Sequence, residues 1–455
     1  MNESHHTTGF KHFLYTIVIF IFLVLASYIA FSQQKLSMKE AVSLAVKNNR
    51  EVRISKIEVE KAHEQVRIAN SMRLPKVYAG AQVSHYFTEP AFFGFSDNAN
   101  GAEPSKIPYS RFGGRDQASA GVSVVHPLYN SASAPEKRRS QLEEKESRLS
   151  VTATQTDISS VVKQTYLQLL VLRERIRLQH ESLLRNEKAL QDARSLLAQG
   201  RALRVDTLRA YATVKNLEPD LLRLSYAIEV GKQQLRTLTG IDSLEEIELS
   251  DSLILDEKHS IPSEEEIFNE AKDSRADLRV LALQPAINDE EIKLASSAKK
   301  PVVELTGQYL IQTQARKFDY ANAYYPSTPF VGVQVNIPIF SGNLNNAKIQ
   351  QAKLSKQQSG LDIDNSLMLL KTEAKKVVAD LHESKSRLQT RVTVKETAQL
   401  SYDITQYRYQ RGVASRLELT DAELALTTAQ SNYLEAVYDY LLAKINLERT
   451  LGRVD

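Results

Sequence analysis

Hydrophobic and polar positions follow two periods along this chain, and each period predicts a different kind of element. From Val331 to Ile339 the alternation is strict: Val331, Val333, Val335, Ile337 and Ile339 share one face, and Gly332, Gln334 and Asn336 the other. Val303, Leu305, Gly307, Tyr309 and Ile311 alternate likewise with Glu304, Thr306 and Gln308. Weaker alternation links Val77, Ala79, Ala81 and Val83, then Ala118, Ala120, Val122 and Val124. Period two means a strand with one apolar and one polar face. Strands are therefore expected at about 76–87, 117–129, 302–312 and 330–340. Roughly ten residues is the length of a membrane-crossing β-strand. Aromatics gather near the ends, at Tyr86, Phe87, Phe92, Phe93, Tyr129, Tyr309, Phe318, Phe330 and Phe340, where a membrane barrel carries its girdles. One such strand alone is better explained by an ordinary sheet over a core. Four of them, each with a polar second face, favour a barrel wall with Val331, Val333, Val335 and Ile337 facing lipid.

The second period is seven. Leu169, Ile176, Leu183, Leu190 and Leu197 recur at that spacing, as do Leu419, Leu426, Tyr433, Tyr440 and Leu447. Leu217, Leu221, Leu224, Ile228, Leu235 and Leu238 follow a 4-3 seam interrupted by Gly231. Such repeats force packed helices into a left-handed supercoil. From Ala132 to Gln199 no Gly or Pro occurs after Pro135, which suits a first turn. That helix would be about 100 Å long at 1.5 Å per residue. Gly200 ends it and Gly412 ends its counterpart, so two antiparallel helical hairpins are expected, at about 132–239 and 342–451. Pro219 is expected to kink or unwind the first returning helix.

The chain reads as one unit written twice. Ser71-Met-Arg-Leu-Pro matches Ser297-Ala-Lys-Lys-Pro, and Val52-Arg53-Ile54 matches Leu278-Arg279-Val280. Val122-Ser-Val-Val-His-Pro-Leu-Tyr matches Val333-Gln-Val-Asn-Ile-Pro-Ile-Phe, and Leu238-Thr-Gly240 matches Thr450-Leu-Gly452. Repeats are placed at 33–240 and 262–455, joined by an acidic, Ser-containing linker at 241–261. Ahead of them, Lys11 and His12 precede an uncharged run from Phe13 to Phe31, with Ala30 and Ser32 just before Gln33. Residues 1–32 are expected to be a cleaved export signal; the alternative is a retained anchor.

Composition narrows the chemistry. Hydrophobic residues are 42% and charged residues 25%, ordinary for an ordered protein. A net charge of +3 is too balanced for a dedicated nucleic-acid binder. Cysteine is absent, which excludes disulfides, thiolate metal sites and a cysteine nucleophile. His63, His85, His126, His180, His259 and His382 show no metal spacing, and no phosphate loop, dinucleotide fingerprint or serine elbow occurs. No cofactor, no metal and no enzymatic activity are expected, so energy for any transport must come from a partner. Four strands alone would leave two open edges in hydrocarbon. The barrel must close by oligomerisation, with two copies giving eight strands or three giving twelve.

The order strand, Val333-Gln-Val-Asn-Ile-Pro-Ile-Phe, long helix, Tyr409-Gln-Arg-Gly-Val-Ala-Ser-Arg-Leu-Glu-Leu, returning helix resembles the TolC outer-membrane efflux family. Leu36-Ser-Met-Lys-Glu-Ala-Val-Ser-Leu-Ala-Val-Lys-Asn-Asn adds to the likeness, which spans both repeats. The resemblance implies a mainly helical fold with transmembrane β-strands, a homotrimer with a twelve-stranded outer-membrane barrel, and a twelve-helix periplasmic tunnel. It implies docking to a periplasmic adaptor and an inner-membrane transporter, as a passive exit duct for efflux or type I secretion. Without a cysteine for lipid attachment, anchoring in outer-membrane lipid is expected to rest on the barrel. The resemblance places adaptor docking at the tips, Gly200, Arg201, Gly412, Val413, Ala414 and Ser415. It places the periplasmic constriction at Glu418 and Asp421, with Asp206 and Arg209 aligned to them in the first repeat and Arg209 available to pair with an acidic ring. Without the resemblance these charges read as a solvated helix face. The rival reading is a periplasmic coiled-coil adaptor or scaffold held by an uncleaved N-terminal helix, for which the four strands have no use.

Overall fold

A computed structural model describes residues 34–93, 109–111, 114–241, 247–253, 260–315 and 321–454. The expected export signal, together with Phe318 and His259, lies outside the described residues. In chain order the elements are β1 (Gln34–Leu36), α1 (Met38–Asn48), α2 (Arg50–Ser71), β2 (Lys76–His85), β3 (Ala91–Phe93), β4 (Tyr109–Arg111) and β5 (Asp116–Asn130). There follow α3 (Ser133–Ala198), α4 (Arg204–Thr239), β6 (Ile247–Leu249), α5 (Glu264–Ser274) and α6 (Ala276–Ser297). Last come β7 (Val302–Ala315), β8 (Ser327–Asn336), α7 (Leu344–Gln410) and α8 (Arg416–Thr450). The fold is mainly helical. It divides into two units, one taking Met1–Ile57, Leu149–Arg279 and Asp364–Asp455, the other Glu58–Arg148 and Val280–Ile363.

The second unit holds an antiparallel sheet in the order β2-β5-β7-β8. β5 carries an irregularity between Pro127 and Tyr129, where Pro127 has no amide hydrogen for the ladder. β8 begins at Ser327 and stops at Asn336, so Ile337 and Ile339 fall beyond the strand in which alternation had placed them. Pro338 explains the stop, because it cannot donate to β7 and restrains the backbone of Ile337 before it. A short antiparallel pair, β3 with β4, was not foreseen.

In the first unit the seam residues face inward as their period requires. Leu190, Ala210 and Val214 pack together with Leu183 between α3 and α4. Tyr402, Leu419 and Leu426 do the same between α7 and α8. Pro219 neither ends nor unwinds α4, which stays helical from Arg204 to Thr239. It sits at an exposed position, where water can replace the hydrogen bond that proline forfeits. The supposed linker contributes a strand: β6 pairs in parallel with β1, Gln34 opposite Ile247 and Leu36 opposite Leu249. Fully buried Tyr166 on α3 clasps this pair by donating its hydroxyl to the Leu36 carbonyl at 2.7 Å. Burial pushes that phenol up to about 12. Leu169, Leu235, Val162 and Ile247 complete this core. Two capping boxes start α1 and α5, Ser37 with Glu40 and Ser263 with Glu266, each satisfying two otherwise orphaned helix N–H groups.

Candidate functional site

Two surfaces carry the chemistry, one in each unit. In the sheet, antiparallel register extends each strand's alternation into whole faces. Val77, Val124, Gly307 and Val331 form one cross-strand row; Tyr129, Val303 and Val335 form another. His126, Leu305 and Val333 lie between them on the same face. The opposite face carries Tyr78, Ser123, Gln308 and Phe330 in one row, Gln82, Ser119 and Gln312 in another, and Glu304 beside Gln334 in a third. Val331 is 79% exposed, and Val333 and Val335 are also exposed. A soluble sheet would bury such a face, so an apolar surround is needed for it. Ile337 is exposed too but lies off the strand. Register also sets depth: Val331 is central in β8, whereas Val335 is one residue from its end. Among the described residues no helix is long and apolar enough to cross a membrane.

The second surface is the pair of helical turns. Gly200 and Gly412 adopt φ of 70° and 76°. Both close their helices in the same double hydrogen bond, Gly200 N–H to Leu197 and Arg201 N–H to Leu196, then Gly412 N–H to Tyr409 and Val413 N–H to Arg408. Left-handed φ is what this cap demands and glycine supplies. The returning helices start differently. Ser415 Oγ accepts the Glu418 N–H at 3.1 Å, whereas the Asp206 carboxylate accepts the Leu203 N–H at 3.3 Å. Asp206 thus has a capping task of its own. Glu418, Asp421 and Arg209 are exposed, as are Arg201 and Val413, while Ala414 is half-buried. Among the described residues no carboxylate lies within 4.0 Å of Arg209, so a single chain does not bring it to the acids it was expected to meet.

A cluster that sequence reasoning missed lies beside these turns. Glu423 on α8 is 6% exposed. Its Oε1 accepts from Asn186 Nδ2 at 2.8 Å and faces Arg185 Nε at 3.4 Å, both on α3. The Arg185 guanidinium lies 6.0 Å from the Tyr402 ring centre. A signal was present. Asn186 falls three residues after Leu183, the second core position of the heptad, where a polar residue stands out. Burial pushes the Glu423 carboxyl above the usual carboxylate range, against the pull of Arg185, Arg416 and Asn186. The folded protein therefore holds this proton to higher pH than the unfolded chain. The contribution is fully present below the unfolded value and is lost as pH rises through the folded one. Glu423→Gln fixes a neutral side chain. Thermal unfolding in detergent should show parent stability falling relative to the variant between acid and neutral pH; a constant difference would contradict this.

Comparison with known proteins adds identity to this geometry. The family model described as outer membrane efflux protein matches residues 41–241 and 267–453. The cation efflux system protein CusC of Escherichia coli is 22% identical over 423 residues, covering 91% of this chain and 85% of that protein. The outer membrane protein TolC of Vibrio cholerae is 20% identical over 348 residues, covering 74% and 77%. The CmeC outer membrane channel of Campylobacter jejuni shares the fold at a TM-score of 0.73 and 19% identity, covering 91% of this chain and 85% of that one.

Proposed function

Because the chain belongs to the outer membrane efflux protein family, it is an outer-membrane efflux channel, and we propose that three copies assemble the duct. The observation that carries this reading is the sheet: β2 and β8 are its edges, and one face is apolar and exposed. Open edges in hydrocarbon leave backbone groups unpaired, and joining β8 of one copy to β2 of the next removes every edge. Three copies of four strands give a barrel of twelve, with the glutamine-rich face inward. The helical hairpins then line a periplasmic tunnel. The chain performs no catalysis; an inner-membrane transporter supplies the energy and a periplasmic adaptor joins the two. The test is purified protein in planar bilayers beside its mass in detergent. Uniform conductance steps and three times the chain mass are expected; a monomer without conductance would overturn the reading.

Docking is assigned to the turns at Gly200, Arg201, Gly412, Val413, Ala414 and Ser415. Val413 is 68% exposed at a turn, which leaves most of its apolar surface open to a partner. Val413→Asp and Ala414→Trp should abolish efflux in cells while trimer levels stay at those of the parent. Normal efflux from either variant would remove the docking role. Glu418 and Asp421 are assigned to the constriction, where three copies contribute six carboxylates. Arg209 meets this ring across a subunit boundary, and Asp206 lends it further negative charge.

A further inference from the structure

The apolar face of the sheet is not even. In the row Val124, Gly307 and Val331 the middle position has no side chain. The hollow it leaves is a groove of about 440 Å³, walled by Val122, Val124, Tyr309, Pro329 and Val331. A methyl group added at Gly307 would meet nothing nearer than the Phe330 carbonyl oxygen at 3.8 Å, so a larger residue would fill the groove without a clash. The same strand begins beside positive charge. Lys299 and Lys300 occupy the turn between α6 and β7, both exposed, with their N–H groups donated back to Ser296 and Ser297. Nearby Lys293 and Lys356 are ion-paired with Glu290 and Asp289, but among the described residues no carboxylate lies within 4.0 Å of Lys299 or Lys300. Lys299 Nζ donates to the neutral Asn346 side chain instead. The stretch from Ser341 to Leu361, which opens α7, holds Lys348, Lys353 and Lys356 and no acid. Ile339 and Phe340, just past β8, are exposed at this same end, where large apolar and aromatic side chains suit a membrane interface. Spacing ties the two features together. Gly307 lies five residues up β7 from Val302, about 17 Å along the strand and about 13 Å in depth once barrel tilt is included. Half of a bilayer's hydrocarbon thickness is about 15 Å. A lipid held by its headgroup at the lysine turn therefore brings the end of its chain to the groove.

We propose that an anionic phospholipid of the periplasm-facing leaflet binds here, its headgroup on Lys299 and Lys300 and one acyl chain in the groove over Gly307. The proposal rests on the assignment of this face to lipid and adds which lipid it holds, and where. The probes are phosphatidylglycerol and phosphatidylcholine with identical chains, titrated onto purified full-length protein in detergent and counted by native mass spectrometry. At about 50 mM salt phosphatidylglycerol should bind about tenfold more tightly, as two lysines facing one net negative charge should give. The gap should shrink at about 500 mM salt. A Lys299→Gln, Lys300→Gln double variant should bind the two lipids equally. Gly307→Val should weaken both about threefold through lost packing of the chain, and keep their ratio. Its unfolding temperature should not fall, because valine suits a strand better than glycine. Equal binding of the two lipids by the parent, or a preference that survives loss of both lysines, overturns the headgroup site. Unchanged binding by Gly307→Val overturns the groove. Full displacement of phosphatidylglycerol by millimolar glycerol phosphate would mark a free-anion site and overturns the lipid reading too. The lipid-facing assignment itself is judged separately: if Val331→Arg still blocks assembly and Gln308→Arg does not, it stands even where the bound lipid fails.

Discussion

Val331→Arg should cost about 2–4 kcal/mol per chain in outer-membrane assembly, whereas Val335→Arg should cost about 0–1 kcal/mol. The two residues share the apolar face but differ in depth, since Val331 is central in β8 opposite Gly307 and Val335 pairs with Val303 near the end. A charge at mid-depth has no water within reach, while one near the interface can extend its head to the aqueous boundary. Gln308→Arg is the matched control, because Gln308 lies one register step from Gly307 on the polar face and would meet the aqueous lumen. Trimer yield and urea resistance of the three variants read the order directly. Equal loss from Val331→Arg and Gln308→Arg would reverse or abolish the assignment of faces.

A channel lacking both Glu418 and Asp421 should lose its cation preference, and block by trivalent cations should weaken roughly tenfold, equivalent to about 1.4 kcal/mol. Both carboxylates are exposed and lie three residues apart, so they share a helix face. The Glu418 main chain is occupied by the Ser415 cap, yet its carboxylate is not needed to start α8. In the proposed trimer they would form a crowded ring, and crowded carboxylates bind polyvalent cations because repulsion among them is relieved. Single-channel recording of Glu418→Ala, Asp421→Ala beside the parent gives the comparison. Unchanged selectivity and unchanged block would remove both residues from the constriction.

Legibility in the sequence followed the physics of each element. A sheet with two different surrounds must alternate, so its strands are visible wherever both surrounds act, and Val331, Val333 and Val335 were found that way. Ile337 kept the alternation after Pro338 had ended the ladder, and pattern alone does not register a missing amide hydrogen. β1 and β6 have 3 residues each, too few for any period to emerge. Their pairing depends on Tyr166, far away in the chain. Ser37-x-x-Glu40 and Ser263-x-x-Glu266 carry the signature of a helix start, which a reading of periods alone passes over. Pro219 shows how far a local rule reaches: the helix does not unwind there, because the residue faces water. The tip acids were reached only through family resemblance, since on one chain they are exposed like any solvated charges. Glu423 was passed over because its partners, Arg185 and Asn186, lie on another helix.

The clasp of β1 on β6 imposes an order on how this chain becomes native. Gln34 pairs with Ile247, so β1, the first strand among the described residues, has no partner until the distant β6 has been made and delivered. Until then Leu36 and the core around Tyr166 remain open, and the first hairpin cannot gain its full stability however soon its helices wind. Contacts of such long sequence separation form slowly and leave apolar surface uncovered meanwhile. A chain without β6 therefore leaves the apolar residues around Tyr166 uncovered. Weakening the clasp should be felt first as loss of yield during biogenesis, with the finished channels conducting as before.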